Sequence, residues 1–228
     1  AEHYQFTREQ QDNFAITSLE RAKKANEDGT FESEIVPIKV LNRKNQIIIR
    51  KDEQPFKSDI TKIPTLKPAF RKNGTVTAAN SSSISDGASS VILMLESEAQ
   101  KRGIKPLARI IDHSTNSQEP KWFTTAPIGA IEKVLEKSGW KKTDVDLFEV
   151  NEAFAVVPMA VMKDIGIPND ILNIYGGACA LGHPVGASGT RIVTTLINAL
   201  KKNNLEKGVA SLCIGGGEAT ALTLEIIN

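Results

Sequence analysis

From residue 106 to residue 228 the chain alternates short apolar runs with amphipathic stretches, and this pattern limits the fold more than any other feature. The runs Ala108–His113, Val145–Val150, Ile171–Ile174, Val209–Cys213 and Ala219–Ile226 have the length and apolar content of strands. Between them, Ile128–Lys137, Ala153–Ile165 and Ala187–Lys202 carry apolar residues at helical spacing. The order βαβαβαββ predicts an α/β unit with helices layered on a mainly parallel sheet. In such sheets ligands bind beyond the carboxyl ends of the strands, so the strand-to-helix junctions are the first places to search for chemistry.

Upstream the pattern is looser. Thr7 followed by Gln10 forms a capping box, and Phe14, Leu19, Ala22 and Ala25 space out a helix that stops near Gly29. Between residues 35 and 69, Ile47-Ile48-Ile49 lies among four prolines (Pro37, Pro55, Pro64, Pro68), which predicts short strands joined by extended loop. Ala88–Leu95 is apolar enough for a strand buried on both faces, and a polar helix is expected to follow it to about Gly103. A domain boundary is expected near Pro106.

Composition excludes several classes. No run approaches the ~18 apolar residues of a membrane helix, and the N-terminus lacks the charged head and apolar run of a secretory signal. The first residue is Ala1 and a helix follows within a few residues, which reads as a protein whose beginning is missing. Two cysteines, Cys179 and Cys213, in glycine-rich surroundings favour free thiols in a reducing compartment over a disulfide framework. The net charge of +1 argues against a general polyanion binder. Residues 39–72 nevertheless carry ten Lys or Arg against three acids, either a solvated loop face or a site for a phosphorylated small molecule. No nucleic-acid motif accompanies them.

Three junctions carry candidate chemistry. Asn151-Glu152-Ala153-Phe154 follows a strand, where Asn151 either caps the next helix or holds a water or carbonyl in a cleft. Residues 176–189 hold five glycines in fourteen positions around His183-Pro184, allowing close backbone approach to a ligand. The spacing of Gly182, Gly186 and Gly189 matches neither a dinucleotide fingerprint nor a phosphate-binding loop, and His183 alone could equally be a satisfied loop histidine. Cys213-Ile214-Gly215-Gly216-Gly217 places a thiol at a strand end beside exposed backbone N–H groups; the plainer reading is a buried cysteine before a tight turn. The three histidines and two cysteines lack paired spacing for zinc.

In order and spacing these blocks resemble the signatures of the thiolase family. Asn-Glu-Ala-Phe, Gly-Gly-x-x-x-Leu-Gly-His-Pro-x-Gly-x-Ser-Gly and Cys-x-Gly-Gly-Gly occur with 32 residues from Asn151 to His183 and 30 from His183 to Cys213. Upstream, residues 74–82 and Ser85-Asp86-Gly87-Ala88 resemble the family's coenzyme A loop, and residues 8–22 its loop-domain helix. The resemblance covers essentially the whole chain.

The resemblance implies a thiolase-like fold: residues 1–84 as the remainder of the coenzyme A-binding loop domain, 85–105 as the last strand and helix of an N-terminal half, and 106–228 as a C-terminal domain. It implies acyl transfer with Claisen condensation or thiolysis, two acetyl-CoA giving acetoacetyl-CoA and CoA, with coenzyme A thioesters as substrates and no cofactor or metal. His183 would activate a nucleophilic cysteine, Asn151 would complete an oxyanion site with it, Cys213 would move the α-carbon proton and Gly215 would offer an N–H to a second oxyanion hole. Ser82, Ala78, Phe70 and Phe154 fall where the family contacts coenzyme A, and Lys57 could meet its phosphates. The expected partners are an N-terminal half and further copies in a dimer or tetramer, without nucleic acid or membrane, in the cytoplasm by default, with a mitochondrion or peroxisome open if the source is eukaryotic.

Against the family pattern, no Cys-(Ala/Gly)-Ser-Gly segment is present, so the acylated cysteine is expected to lie outside these residues and the chain to be silent alone. Ala219 stands where glycine is frequent, and Gln54-Pro55-Phe56 where an arginine facing the nucleotide is expected. The alternatives are a coenzyme A or lipid-binding module without catalysis, a longer-chain 3-ketoacyl-CoA thiolase, and a ketoacyl synthase, which would pair two histidines with its nucleophile.

Overall fold

The computed structural model describes residues 1–42 and 45–227. Its centre is a four-stranded sheet of β3 (Ala108–Ser117), β6 (Glu218–Ile226), β5 (Lys207–Ile214) and β4 (Leu147–Val150), in that order. β4 runs parallel to β5, whereas β6 is antiparallel to both β5 and β3. Three strands therefore share a direction, but only one of the three pairings is parallel, because β5 and β6 are joined by a tight turn rather than by a crossover helix. The expectation of a mainly parallel sheet is corrected to that extent.

Helices cover both faces. α3 (Ala126–Ser138) turns Ala130, Ile131, Val134 and Leu135 inward at helical spacing against Phe148, Val150 and Val209, and ends at Gly139 with φ of 67°. α6 (Ser188–Lys202) buries Ile192, Leu196, Ala199 and Leu200 against Leu147, Ala210 and Leu224. Strand alternation assigns the faces: Phe148 and Val150 with Val209 and Cys213 on the α3 side, Leu147 with Ala210 on the α6 side.

At the front, α1 (Arg8–Glu27) starts with the expected capping box at Thr7 and Gln10. β1 (Ile38–Asn42) and β2 (Asn45–Ile49) form an antiparallel hairpin, and 3-10 turns continue to residue 65. Arg43 and Lys44 of the basic stretch lie outside the described residues. α2 (Glu96–Lys101) is the expected polar helix. The strand expected at 88–95 does not form: the segment is extended with no ladder partner among the described residues, and Ile92, Leu93 and Leu95 are exposed. A strand needs a neighbour to satisfy its backbone, and apolar content alone does not supply one.

Two more elements differ around the site. The run Ile171–Ile174 makes only a single bridge between Leu172 and Phe148. Asn173, at φ of 48°, instead turns its side chain into the ladder: Nδ2 donates to the Val150 carbonyl and Oδ1 accepts the Val150 N–H, both at 2.8 Å. Its amide thus replaces a strand at the edge of β4. The helix expected from Ala153 begins later, as α4 (Val156–Val161), and closes in a π turn over residues 162–166.

Candidate active site

The candidate residues collect where β4 and β5 end. β4 stops at Val150, and the Asn151 N–H continues the ladder by donating to the Ser211 carbonyl at 3.0 Å. This places Asn151 and Cys213 at the same end of two neighbouring parallel strands. Asn151 is fully buried and lies five residues before α4, whose N-cap is Ala155, so it does not act as that helix's cap.

His183 is carried by the glycine-rich connection between α5 (Ala178–Leu181) and α6. Its backbone N–H donates to the Ser83 carbonyl at 2.9 Å, and it bridges Ile84. The ring is held at both nitrogens: Nε2 lies 3.4 Å from Asn151 Nδ2, and Nδ1 lies 2.6 Å from Ser188 Oγ in the first turn of α6. Burial, and then the nearby Arg191 guanidinium, hold the imidazole below its usual range, so the neutral ring prevails at pH 7. Asn151 Oδ1 is buried and takes no hydrogen bond among the described residues.

Cys213 is buried against the α3 side of the sheet, and burial pushes its thiol up to about 11. It is therefore a protonated thiol at rest. The following residues 215–217 make the β5–β6 turn, in which Gly215 is exposed and Gly217 adopts φ of 105°. The plainer sequence reading, a buried cysteine before a tight turn, is thus also true of the geometry.

The coenzyme A candidates divide. Ser82 donates to the Ala153 carbonyl through both N–H and Oγ, at 3.0 and 2.9 Å. Phe70, 71% exposed, stands edge-on to Phe154 at 6.1 Å, and Ser81 bridges Phe154. Ser82, Phe70 and Phe154 are therefore neighbours beside Asn151. Ala78 is exposed. Lys57 is exposed and pairs with Glu53 at 3.5 Å. Gln54, where an arginine was expected, donates to Ser83 Oγ at 3.1 Å and so braces the segment that carries His183.

Sequence reasoning missed a buried carboxylate. Glu152 accepts from Ser18 Oγ (2.7 Å), Asn173 Nδ2 (2.9 Å) and the Cys179 N–H (3.1 Å), which ties α1 and the glycine-rich loop to the end of β4. Burial pushes its pKa above the usual carboxylate range, and these donors oppose the rise. Gly176 and Gly177 serve this packing rather than a ligand: side chains there would overlap Ser18 and Ala22 of α1 and the Glu152 carboxyl. Cys179 is caught in the same cluster, and burial beside Glu152 lifts its thiol well above the ordinary range. Ser188 was also missed. Its sequence signal was its place as the serine of the block Gly-His-Pro-x-Gly-x-Ser-Gly, five residues after His183, where no role was assigned to it.

Comparison with known proteins decides the family. A model described as the thiolase C-terminal domain matches residues 104–226, and one described as the thiolase N-terminal domain matches residues 1–97. The chain belongs to the thiolase family. It is 53% identical over 226 residues to a probable acetyl-CoA acetyltransferase of Dictyostelium discoideum, covering 99% of this chain and 55% of that relative. To the acetyl-CoA acetyltransferase of Shinella zoogloeoides it is 47% identical, covering 58% of it. The crystal structure of the Bacillus anthracis acetyl-CoA acetyltransferase superposes with a TM-score of 0.96 at 44% identity, covering 99% of this chain and 58% of that one. The Ascaris suum Acat5 thiolase, solved in complex with coenzyme A, superposes at 0.89 with 39% identity. The thiolase fold is thereby shared along the chain, which spans somewhat over half the length of these relatives.

Proposed function

We propose that this thiolase chain supplies the base, the proton-carrying thiol and an oxyanion site for the reversible conversion of two acetyl-CoA into acetoacetyl-CoA and CoA. The observation that carries the reading is His183, neutral and fixed between Asn151 and Ser188, at the strand ends that also bear Cys213.

In cleavage, a cysteine thiolate attacks the ketone carbon of acetoacetyl-CoA, and the bond between that carbon and the α-carbon breaks. The electron pair stays on the acetyl-CoA enolate and takes the Cys213 proton; a thiol near 11 is well supplied for that donation. The enolate oxygen and thioester carbonyl are stabilised by the Asn151 amide, the His183 ring and the Gly215 N–H. CoA then attacks the acyl-cysteine: its thiol proton restores Cys213, the acyl group leaves on the CoA sulfur, and the nucleophilic cysteine is released as its thiolate. In condensation each bond change reverses, and Cys213 as thiolate takes the methyl proton.

The acylated cysteine is assigned outside residues 1–228. Of the two cysteines here, Cys213 is the proton carrier, and Cys179 has its thiolate suppressed by its own burial and then by the neighbouring Glu152 carboxylate. Coenzyme A thioesters act as substrates with no separate cofactor; Ser82, Phe70 and Phe154 would line the pantetheine path, with Ala78 and Lys57 farther along it. A homo-oligomer and a cytoplasmic compartment belong to the same proposal.

The test is a chimera in which residues 1–228 replace the matching region of the Bacillus anthracis relative. Thiolysis of acetoacetyl-CoA is expected, with losses of about 10²-fold or more in His183→Ala and Cys213→Ala. A chimera that folds and binds CoA yet fails to thiolyse would overturn the reading.

A further inference from the structure

Ser188 is 1% exposed, and its hydroxyl touches two groups, His183 Nδ1 at 2.6 Å and the Pro184 carbonyl at 3.1 Å. A hydroxyl has one proton to give, and a carbonyl oxygen can only accept. With the Ser188 proton directed to Pro184, the short contact to the ring is made by Nδ1–H donating to Oγ. At the other end, the Asn151 amide nitrogen can only donate, and it faces Nε2. Both neighbours select the same neutral tautomer, with the proton on Nδ1 and a lone pair on Nε2. The Pro184 carbonyl also accepts the Ala187 and Ser188 N–H groups at 2.8 and 2.9 Å, so the turn that receives the Ser188 proton is fixed by the start of α6.

We infer that Ser188 is a positioning residue of this site: its Oγ accepts a hydrogen bond from His183 Nδ1–H, its hydroxyl donates to the Pro184 carbonyl, and Nε2 is kept unprotonated on the side turned toward Asn151. The inference rests on the reading of His183 as the base. Its physical content is separate, because a histidine with Nε2 protonated has no lone pair to take a thiol proton from that side. When Nε2 does accept a proton, the Nδ1–H bond to Oγ is already in place and stabilises the imidazolium without rearrangement.

Long-range proton–nitrogen NMR correlation of the 228-residue chain with 15N-labelled histidine reads the tautomer directly and needs no turnover. Only His3, His113 and His183 contribute, and His183→Gln assigns the third signal set. At a pH where the ring is neutral, the expected result is a protonated Nδ1 for His183, with loss of that preference in Ser188→Ala and its retention in Ser188→Thr. A protonated Nε2 in the unsubstituted chain, or an unchanged tautomer in Ser188→Ala, overturns the inference. In the active chimera, Ser188→Ala is expected to lower kcat by about tenfold or more with little change in KM. Inactivity of the chimera itself would sink the functional reading while leaving the NMR result to stand or fall alone.

Discussion

At the residue scale, burial sets the reactivity of the two thiols more than their neighbours in sequence do. Cys213 and Cys179 both follow small or apolar residues near glycines, and nothing local separates a reactive thiol from an inert one. In the fold Cys213 joins the apolar cluster of α3 and the sheet, whereas Cys179 hangs on Glu152. Both thiols therefore rest protonated at neutral pH. Iodoacetamide should label neither at an appreciable rate at pH 7 in the folded chain, and Cys213 should become reactive first as pH approaches 11. Mass-spectrometric labelling against pH checks this, and rapid labelling of Cys213 at pH 7 would contradict its burial.

At the element scale, β4 and α6 are joined by the buried Glu149 and the partly buried Arg191, with Arg191 Nη1 3.6 Å from Glu149 Oε2. Asn151 follows β4 directly and Ser188 opens α6, so this contact lies between the same two parts of the fold that flank His183. Burial raises the Glu149 carboxyl from an ordinary 4.5 to about 8, and Arg191 offsets only part of the rise. The folded state then holds a proton that the unfolded chain has released, so this group's contribution to stability falls as pH rises from about 4.5 to 8. Glu149→Gln has no such proton and should show a flatter dependence over that window in denaturant titrations, whatever its absolute stability. Equal slopes for both chains would show that Glu149 is ionised throughout. His183 acts in the opposite sense and lower down, since its lowered pKa costs stability only as pH falls below about 6.5.

At the scale of the whole molecule, the segment ahead of α2 presents an unpaired apolar surface. Ile84 is fully exposed and Ile92 84% exposed, with Leu93 and Leu95 beside it. Patches of this kind on a soluble chain mark contact surfaces or association. The 228-residue chain should therefore self-associate at micromolar concentration in sedimentation velocity, and the double substitution Ile92→Lys with Leu93→Lys should shift it toward monomer. Monomeric behaviour of the unsubstituted chain at such concentrations would show that the segment is covered by the chain itself.

The sequence by itself determined the helices α1, α3 and α6, the strands β3 to β6, and the family, because these depend on local periodicity, capping residues and ordered short blocks. It also named Asn151, His183 and Cys213, since each stands at a junction where the pattern changes. It misjudged 88–95 and 171–174, because an apolar run becomes a strand only if a neighbour accepts its backbone bonds, and Asn173 took that place at β4 with its side chain. The roles of Glu152, Arg191 and Ser188 were hidden for the same kind of reason: a charge or hydroxyl withdrawn from water is defined by partners brought from distant parts of the chain, Ser18 on Glu152 and Glu149 on Arg191, or by the turn that folds Ser188 back under His183. Only tertiary structure decides such partnerships, because the free energy of a buried polar group lies in what satisfies it.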